Sequence, residues 1–206
     1  MPSAVFSSTT SRGRGRPREF DIDTALDKSV RLFRERGYHA TSIADLTEAM
    51  ELASGSVYKA FKDKRAVFLA AFDREGKTRR EKLRRLLSTA KSGRDRIRVA
   101  LTFIAESSHG MEGKRGCLIV GTAVELATFD AEVAQRVTAA LRQSETLMVD
   151  LIGQGQVDGS ISVAIDRKVT ARLMLCLLQG MRVIGKTGRS RKEMMAAADA
   201  AMKLLG

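Results

Sequence analysis

The chain of 206 residues is longer than a typical small domain and short for two full domains, which indicates a small module joined to a larger one. Its formal net charge of +12 favours a polyanionic partner such as nucleic acid, because neutralised phosphates release counterions; general basicity is the alternative. The 44% hydrophobic content suffices for a packed core. No apolar run approaches the ~18 residues of a membrane helix, and the polar start lacks the apolar segment of a secretory signal. We therefore expect a cytoplasmic protein.

Residues 1–20 are rich in Ser, Thr, Arg and Gly and contain too little apolar surface to fold alone, so we expect a disordered basic arm. Within this arm, Arg14 and Arg16 belong to the run Arg-Gly-Arg-Pro, which resembles the core of an AT-hook. Arginines spaced by glycine can lie in a narrow A·T minor groove, where the negative potential is enhanced. A solubilising tail is the alternative.

The next segment has the pattern of a helix-turn-helix. A first helix is predicted from about Asp23 to Arg36, ending at Gly37. Its buried side is predicted to contain Ile22, Leu26, Val30 and Phe33. Between Thr41 and Lys64, two further apolar stripes at helical spacing can close on each other. These stripes consist of Ile43, Leu46 and Met50, then Val57, Ala60 and Phe61. The Thr41 hydroxyl is predicted to cap the second helix.

The segment that follows is strongly basic and has a changing polarity. Residues 65–98 contain 12 Lys and Arg against 4 Asp and Glu. From Lys64 to about Leu87, apolar residues occur at both ends and polar residues fill the middle from Asp73 to Lys82. This pattern is typical of a helix that bridges two bodies. Its charge can attract DNA over long range, or it can be a plain solvated face.

The rest of the chain fits the helical period far better than strand alternation, so we predict an all-α protein of about nine helices. Residues 109–116 contain three glycines and are predicted to be a loop. The predicted helices cover about 92–107, 117–126, 130–152, 168–184 and 191–205. The last two have broad apolar faces, which predicts a four-helix contact with a second copy of the chain. Cys176 is predicted to lie in the core.

Three sequence runs resemble the DNA-binding domain of the TetR/AcrR family of transcriptional regulators across residues 14–68: RGRPREFD, LFRERGYHATSIADL and GSVYKAFKDKRAVF. Within residues 116–184, GCLIVGTAVELA, QGQVDGSI and LCLLQGMRV resemble the family's C-terminal ligand domain. The resemblance implies a three-helix head at 21–68 and a ligand-binding and dimerisation domain at 69–206. It also implies a homodimeric repressor that binds a pseudo-palindromic double-stranded DNA operator and is released by a small-molecule effector.

Carried over by position, the family pattern implies a second helix at Ser42–Met50 and a recognition helix at Ser54–Ala60. The implied DNA contacts are Thr41, Ser42, Ser54, Gly55, Ser56, Tyr58, Lys59 and Lys64. Ser54, Gly55 and Ser56 would approach bases, while Tyr58, Lys59 and Lys64 would contact phosphates, with Lys59 also within reach of a base. Two positions depart from the family pattern, with Glu51 in place of a turn Gly and Ala53 in place of a capping Ser or Thr. A recognition helix that begins one residue later, with Ser54 as its cap, is therefore an alternative.

For the effector pocket we predict a lining drawn from the fourth to eighth helices: Phe103, Met111, Cys117, Val120 and Met148. With two histidines, His39 and His109, and two cysteines that form no metal or disulfide spacing, we predict no cofactor, no metal site and no catalytic residue.

A sequence-nonspecific architectural DNA-binding protein is one alternative to the ligand-responsive repressor. A thiol-based redox or electrophile sensor is another, because Cys117 follows Lys114-Arg115-Gly116 at a predicted helix start, where cations favour a thiolate. A buried, inert cysteine is the simpler interpretation of the same residue.

Overall fold

A computed structural model describes residues 21–206, and within that range the chain forms α-helices, one short 3-10 helix and no β-strand. The all-α prediction is confirmed. The helices are α1 (Ile22–Arg36), α2 (Ile43–Met50), α3 (Ser54–Ala60), α4 (Lys64–Leu87), α5 (Gly93–Glu106), α6 (Gly110–Arg115), α7 (Leu118–Glu125), α8 (Ala131–Val157), α9 (Arg167–Gly185), α10 (Arg191–Ala201) and the 3-10 helix Met202–Leu205. The predicted arm contacts Arg14 and Arg16 lie outside the described residues. No helix among residues 21–206 is long and apolar enough to cross a membrane.

Helix α1 has the predicted position and most of the predicted buried face. The Asp21 carboxylate accepts a hydrogen bond from the Asp23 N–H and caps its start, and Gly37 ends it with φ at 81°. Leu26, Val30 and Phe33 are buried, as predicted. Ile22 is 45% exposed, so its predicted burial was wrong. Ile22 is the first residue of the helix.

The turn between α2 and α3 contains the one non-glycine residue with positive φ among residues 21–206. Glu51 ends α2 in the left-handed conformation, with φ 57° and ψ 40°. Its carboxylate lies 2.8 Å from the Lys28 Nζ of α1, which lowers the pKa of Glu51. The structure begins α3 at Ser54 and places Ala53 at the cap position without a side-chain hydrogen bond, so the later start with Ser54 as cap was wrong. Ala60 is exposed, contrary to the prediction for the second apolar stripe.

Helix α4 connects two hydrophobic clusters and confirms the prediction of a bridging helix. Its first half buries Val67, Phe68, Ala71 and Phe72 in a cluster with α1, α2 and α3. That cluster also contains Leu118 and Leu126 from the α7 region and Val133 and Val137 of α8, so the head shares its core with the body. Near its C-terminal end, Leu83 and Leu87 pack on the body cluster of α5, α8, α9 and α10. Leu86, predicted to belong to the same stripe, is exposed.

Two glycine-rich segments are helical where the sequence predicted otherwise. Helix α6 replaces the predicted 109–116 loop, and α8 continues past Gly153 and Gly155 to Val157. A Cβ at Gly113 would lie 2.7 Å from the carbonyl carbon of Ser108, and a Cβ at Gly93 would lie 2.1 Å from the backbone nitrogen of Gly155. These glycines therefore permit close backbone packing rather than chain reversal.

Helix α9 buries one side and exposes the other. Ala171, Met174, Leu178 and Met181 are in the body core. Its outer side exposes Val169, Leu173, Leu177, Val183 and Ile184. Cys176 is exposed on this helix, so its predicted place in the core was wrong. A helix that is apolar on both sides gives no local signal for which side faces the core.

The conformation of Glu51 generates a test of the turn. A residue with a Cβ in the left-handed region costs about 1–2 kcal/mol relative to glycine. We therefore expect Glu51→Gly to have a free energy of unfolding about 1 kcal/mol higher than Glu51→Ala, measured by urea denaturation. Both variants lose the contact with Lys28, so the comparison isolates the backbone. Equal stabilities of the two variants would contradict a left-handed residue at this position.

Candidate DNA-binding surface and effector cavity

Helix α3 presents small and polar side chains to solvent. Val57 is fully buried and anchors the helix, while Ser54, Gly55 and Lys59 are exposed, Ser56 is half-buried and Tyr58 is 54% exposed. A Cβ at Gly55 would meet no atom within 4 Å, so the protein's own packing does not require glycine there. A surface helix whose first turn lacks large side chains can approach another molecule closely. The predicted contacts on α3 therefore lie on one accessible element.

The start of α2 differs from the prediction in which residue caps it. Ser42 is the cap: its Oγ accepts from the Asp45 N–H at 3.0 Å, and the Ser42 N–H donates to the Asp45 carboxylate at 2.7 Å. The Ser42 hydroxyl and the Ser42 N–H, with Arg36 at 3.0 Å, hold the pKa of Asp45 below its usual value. Thr41 is 1% exposed and its hydroxyl donates to the Gly37 carbonyl at 2.7 Å. Its predicted capping role was wrong, and its side chain does not reach the surface.

Lys64 opens α4 and fastens the loop before α2. Its Nζ donates to the carbonyl oxygens of Tyr38 and Thr41, at 3.1 and 2.9 Å, and lies 4.2 Å from the centre of the Tyr38 ring. The cap of α4 is Asp63, whose carboxylate accepts from the Ala66 N–H. In this structure the Lys64 ammonium is thus bound within the head and is not directed outward as Lys59 is.

The head is joined to the body by charged hydrogen bonds from α6 and α7. The Glu125 carboxylate at the end of α7 accepts from the backbone N–H of Tyr38 at 3.0 Å and of His39 at 2.7 Å. Arg34 of α1, with a side chain 8% exposed, donates to the Gly116 carbonyl at 2.9 Å and to Glu112 at 3.0 Å. A displacement of α7 would therefore act directly on the loop between α1 and α2.

Two cavities lie beside α7. The first, about 340 Å³, separates the end of α1 and the Gly37–Tyr38 loop from α7 and the end of α9. The second, about 260 Å³ and partly open to solvent, is lined by residues of α4, α5, α7, α8 and α9. Arg182 of α9 lines both cavities. The space between them is therefore divided in part by one arginine side chain.

The five predicted pocket residues are not brought together. Cys117 and Val120 line the first cavity, and Phe103 and Met148 line the second. Met111 lines neither cavity and is 65% exposed, so its predicted place in the pocket was wrong, because α6 points this residue outward.

Sequence reasoning missed two arginines, Arg79 and Arg182, whose side chains line the cavities of the body. Arg79 donates to the Ser107 hydroxyl at 3.1 Å and lies over the Phe103 ring, 5.0 Å from its centre. Arg182 donates to the Cys117 Sγ at 2.6 Å. Arg79 belongs to the polar middle of α4, which the sequence presented as a solvated face. For Arg182, the available signal was an arginine near the C-terminal end of a helix that is apolar for most of its length.

Cys117 lies between these cations. Burial opposes the charged form of its thiol, but Arg182, the Val120 N–H and Arg79 together hold the pKa of Cys117 below its ordinary value. A thiolate is the reactive form of cysteine. Among residues 21–206, no cluster of three or more His, Cys, Asp or Glu side chains could hold a metal ion.

The fold and this surface define a class: an all-α protein with a helix-turn-helix head and a helical body that encloses cavities next to that head. Family comparisons agree. The family described as "Bacterial regulatory proteins, tetR family" matches residues 25–71, and the family described as "Tetracyclin repressor-like, C-terminal domain" matches residues 93–201. The chain belongs to the TetR family of transcriptional regulators, and its DNA-binding, helix-turn-helix character follows from that membership.

Individual relatives are similar over most of the chain. The HTH-type transcriptional repressor ComR of Escherichia coli is 28% identical over 194 residues, which is 94% of this chain and 92% of ComR. The structure of a cysteine mutant of the regulator CifR with 26-base-pair operator DNA has 30% identity and a TM-score of 0.81, over 91% of this chain and 98% of CifR. The reduced form of E. coli NemR, 20% identical with a TM-score of 0.76 over 89% and 97% of the two chains, shows the shared fold.

The junction at Glu125 gives a test of the contact between head and body. Glu125→Gln exchanges one of the two acceptor oxygens for an NH₂ group, which would face one of the two backbone N–H donors, so we expect the free energy of unfolding to fall by about 1–3 kcal/mol. Urea denaturation measures this. The matched control is Glu48→Gln on α2, an exposed carboxylate without a salt bridge among residues 21–206. Equal effects of the two substitutions would show that the Glu125 contact does not fasten the loop.

Proposed function

We propose that this protein is a homodimeric repressor that binds a pseudo-palindromic operator and is released by a small molecule bound in its helical body. In this proposal, residues 1–20 are a basic arm, 21–68 the DNA-binding head and 69–206 the ligand-binding and dimerisation domain. The observation that carries it is the exposed first turn of α3, where Ser54 and Gly55 leave room for a close approach to base edges. The operator complex of the similar protein CifR supports it.

The proposed contacts divide into two groups. Ser54, Gly55 and Ser56 would read base edges, while Ser42, Tyr58 and Lys59 would contact phosphates. Since Thr41 is buried and Lys64 is held by two carbonyl groups, these two residues would support the loop from within. Arg14 and Arg16 would lie in the minor groove beside the recognition helix.

The proposed dimer uses α9 and α10. The outer side of α9 exposes an apolar stripe of Val169, Leu173, Leu177 and Ile184. The exposed side of α10 contains three alanines, Ala196, Ala197 and Ala200, beside charged residues. Gly180 interrupts the α9 stripe, and a Cβ there would meet nothing within 4 Å. A small residue at the centre of an apolar helix face allows a second helix to approach closely, which suits an isologous four-helix contact.

The operator test uses the DNA next to the protein's own coding region. We expect an inverted repeat that the protein protects from cleavage, with a preference of about 10³ or more over unrelated duplex. Lys59→Ala should weaken binding to all sequences alike and lower the slope of log affinity against log salt by about 1, because one phosphate contact is lost. Ser56→Ala should instead change the base preference.

The control for this test is Lys203→Ala, in the C-terminal 3-10 helix away from α3. It should leave both the affinity and the salt slope unchanged. Equal affinity of the unaltered protein for every duplex would contradict the repressor proposal and would favour the architectural alternative.

A second candidate function is the sensing of electrophiles through Cys117. The contact between the Cys117 Sγ and Arg182, and the lowered pKa of this thiol, favour it. A thiolate would add to an electrophilic carbon such as that of N-ethylmaleimide, forming an S–C bond, and the resulting carbanion would take a proton from water.

For this candidate we expect Arg182→Gln to raise the pKa of Cys117, because a positive charge is removed, and so to slow alkylation at neutral pH. The measurement is the alkylation rate against pH, with Arg85→Gln on the exposed side of α4 as the control. If Cys117→Ser released the operator normally in response to N-ethylmaleimide, the sensing candidate would be wrong.

A further inference from the structure

The second cavity has a strongly cationic lining. Its wall includes Arg79, Arg80, Arg84 and Arg182, and no Asp or Glu is among the residues that line it. Arg80 and Arg84 are exposed at its edge, and Arg79 and Arg182 lie further inside. The remaining wall is mainly apolar, with Leu83, Phe103, Leu147, Met148 and Leu178 among its members. The cavity therefore has arginines both at its edge and further inside, beside a mainly apolar wall.

The positive charge at the inner end is poorly compensated by the chain. The Arg79 side chain is 18% exposed, and its nearest carboxylate, Glu75, lies 3.8 Å away. Arg182 has no carboxylate within 4.0 Å among residues 21–206, and its buried Nε has no hydrogen-bond partner there. Burial and the proximity of Arg182 lower the pKa of Arg79 to about 10, against the opposing effect of Glu75. With this pKa, Arg79 is still charged at neutral pH.

Elsewhere among residues 21–206, Arg94 and Arg96 donate to carbonyl and amide oxygens, but most partly buried arginines have a close carboxylate. Five of them lie within 3.0 Å of a carboxylate oxygen, in the pairs Arg34–Glu112, Arg65–Asp130, Arg74–Asp27, Arg115–Glu35 and Arg136–Asp73. A buried charge without a partner is costly, so its retention calls for a counter-charge from another source. At this cavity the available sources are the Cys117 thiolate and a bound anion.

We infer that the effector is a small organic carboxylate whose anionic group is bound by Arg79 and Arg182 and whose apolar part packs on Leu83, Phe103 and Met148. This inference rests on the proposed function, since it names the class of ligand for the proposed effector site. Guanidinium groups bind carboxylates through paired, charge-assisted hydrogen bonds. The volume of about 260 Å³ lies just below the ~300–1,000 Å³ of pockets for drug-sized ligands, which favours a compact acid.

The inference has a specific consequence for Cys117. An anion bound by Arg182 would compete with the Cys117 sulfur for the same guanidinium and would add negative charge beside it. Both effects disfavour the thiolate. Binding of the acid should therefore raise the pKa of the Cys117 thiol, whereas a neutral ligand filling the apolar part of the cavity would leave this pKa unchanged.

The test uses the full-length protein in a chloride buffer free of phosphate and carboxylates. Hexanoate, octanoate, benzoate and phenylacetate are titrated by calorimetry beside hexanol, octanol, benzyl alcohol and octylamine. We expect at least one acid to bind at least tenfold more tightly than its matched alcohol and to slow alkylation of Cys117 at neutral pH. Arg79→Gln and Arg182→Gln should each weaken acid binding at least tenfold, and Arg85→Gln should leave it unchanged.

Folding of the variants is checked by thermal unfolding, and Arg182→Lys, which retains the charge, provides a substitute if Arg182→Gln does not fold. Its acid affinity should lie between those of the unaltered protein and Arg79→Gln. The inference is overturned if an alcohol or the amine binds as tightly as the acids, or if no acid binds at millimolar concentration. It is also overturned if Arg182→Gln binds acids as tightly as the unaltered protein does. If Arg182→Gln does not fold, the same criterion applies to Arg182→Lys.

Failure of this inference and failure of the proposed function give different results. Protection of an operator together with release by a neutral compound alone would overturn the acid inference and leave the repressor proposal intact. Arginine-dependent binding of an acid without protection of any operator would support the acid inference and overturn the repressor proposal. The operator footprint and the calorimetric titration are therefore run on the same preparation.

Discussion

The hydrogen bonds from the Tyr38 and His39 N–H groups to the Glu125 carboxylate fix the loop of the DNA-binding head to the C-terminal end of α7. At the other end of this helix, Cys117 occupies the cap position and contacts Arg182 of α9. An eight-residue helix is only about 12 Å long, so its two ends are close and move together. Leu118 also packs in the hydrophobic core of the head, so the start of α7 is attached to the head as well. The position of the head thus depends on a short rigid element that reaches both cavities.

Much of this fold could be predicted from local sequence signals. The glycine at 37 and the apolar periodicity of α1 and α4 act within a few residues, and the structure has them where they were expected. The Ser42–Asp45 capping box was also a local signal, and it was passed over for Thr41. The glycines at 113 and 155 were misinterpreted because their role depends on groups that approach from distant parts of the chain. Local patterns carry no information about such contacts.

The candidate site could be predicted in its exposed part and not in its interior. The residues of α3 follow from the family pattern, because the helix-turn-helix places them on one surface. The interior depends on which polar residues turn inward, and the polar middle of α4 gave no indication that Arg79 does so. Its partners are Phe103 of α5 and Ser107, which directly follows that helix. Likewise, the outward direction of Met111 and Cys176 is set by which side of a helix meets its neighbours, a choice made by tertiary packing.

The uncompensated arginines bear on how a ligand could move the head. A ligand shifts an equilibrium between two states only by the difference in its affinity for them. Arg182 lines both cavities and contacts the cap of α7, so an anion that draws this guanidinium away from Cys117 interacts differently with states that differ in the position of α7. An apolar ligand that merely filled the space beside Leu83 would lack this difference. In the proposed mechanism, the electrostatic contact with Arg182, rather than the volume of the cavity, would therefore determine whether ligand binding in the body displaces Glu125 and hence the DNA-binding head.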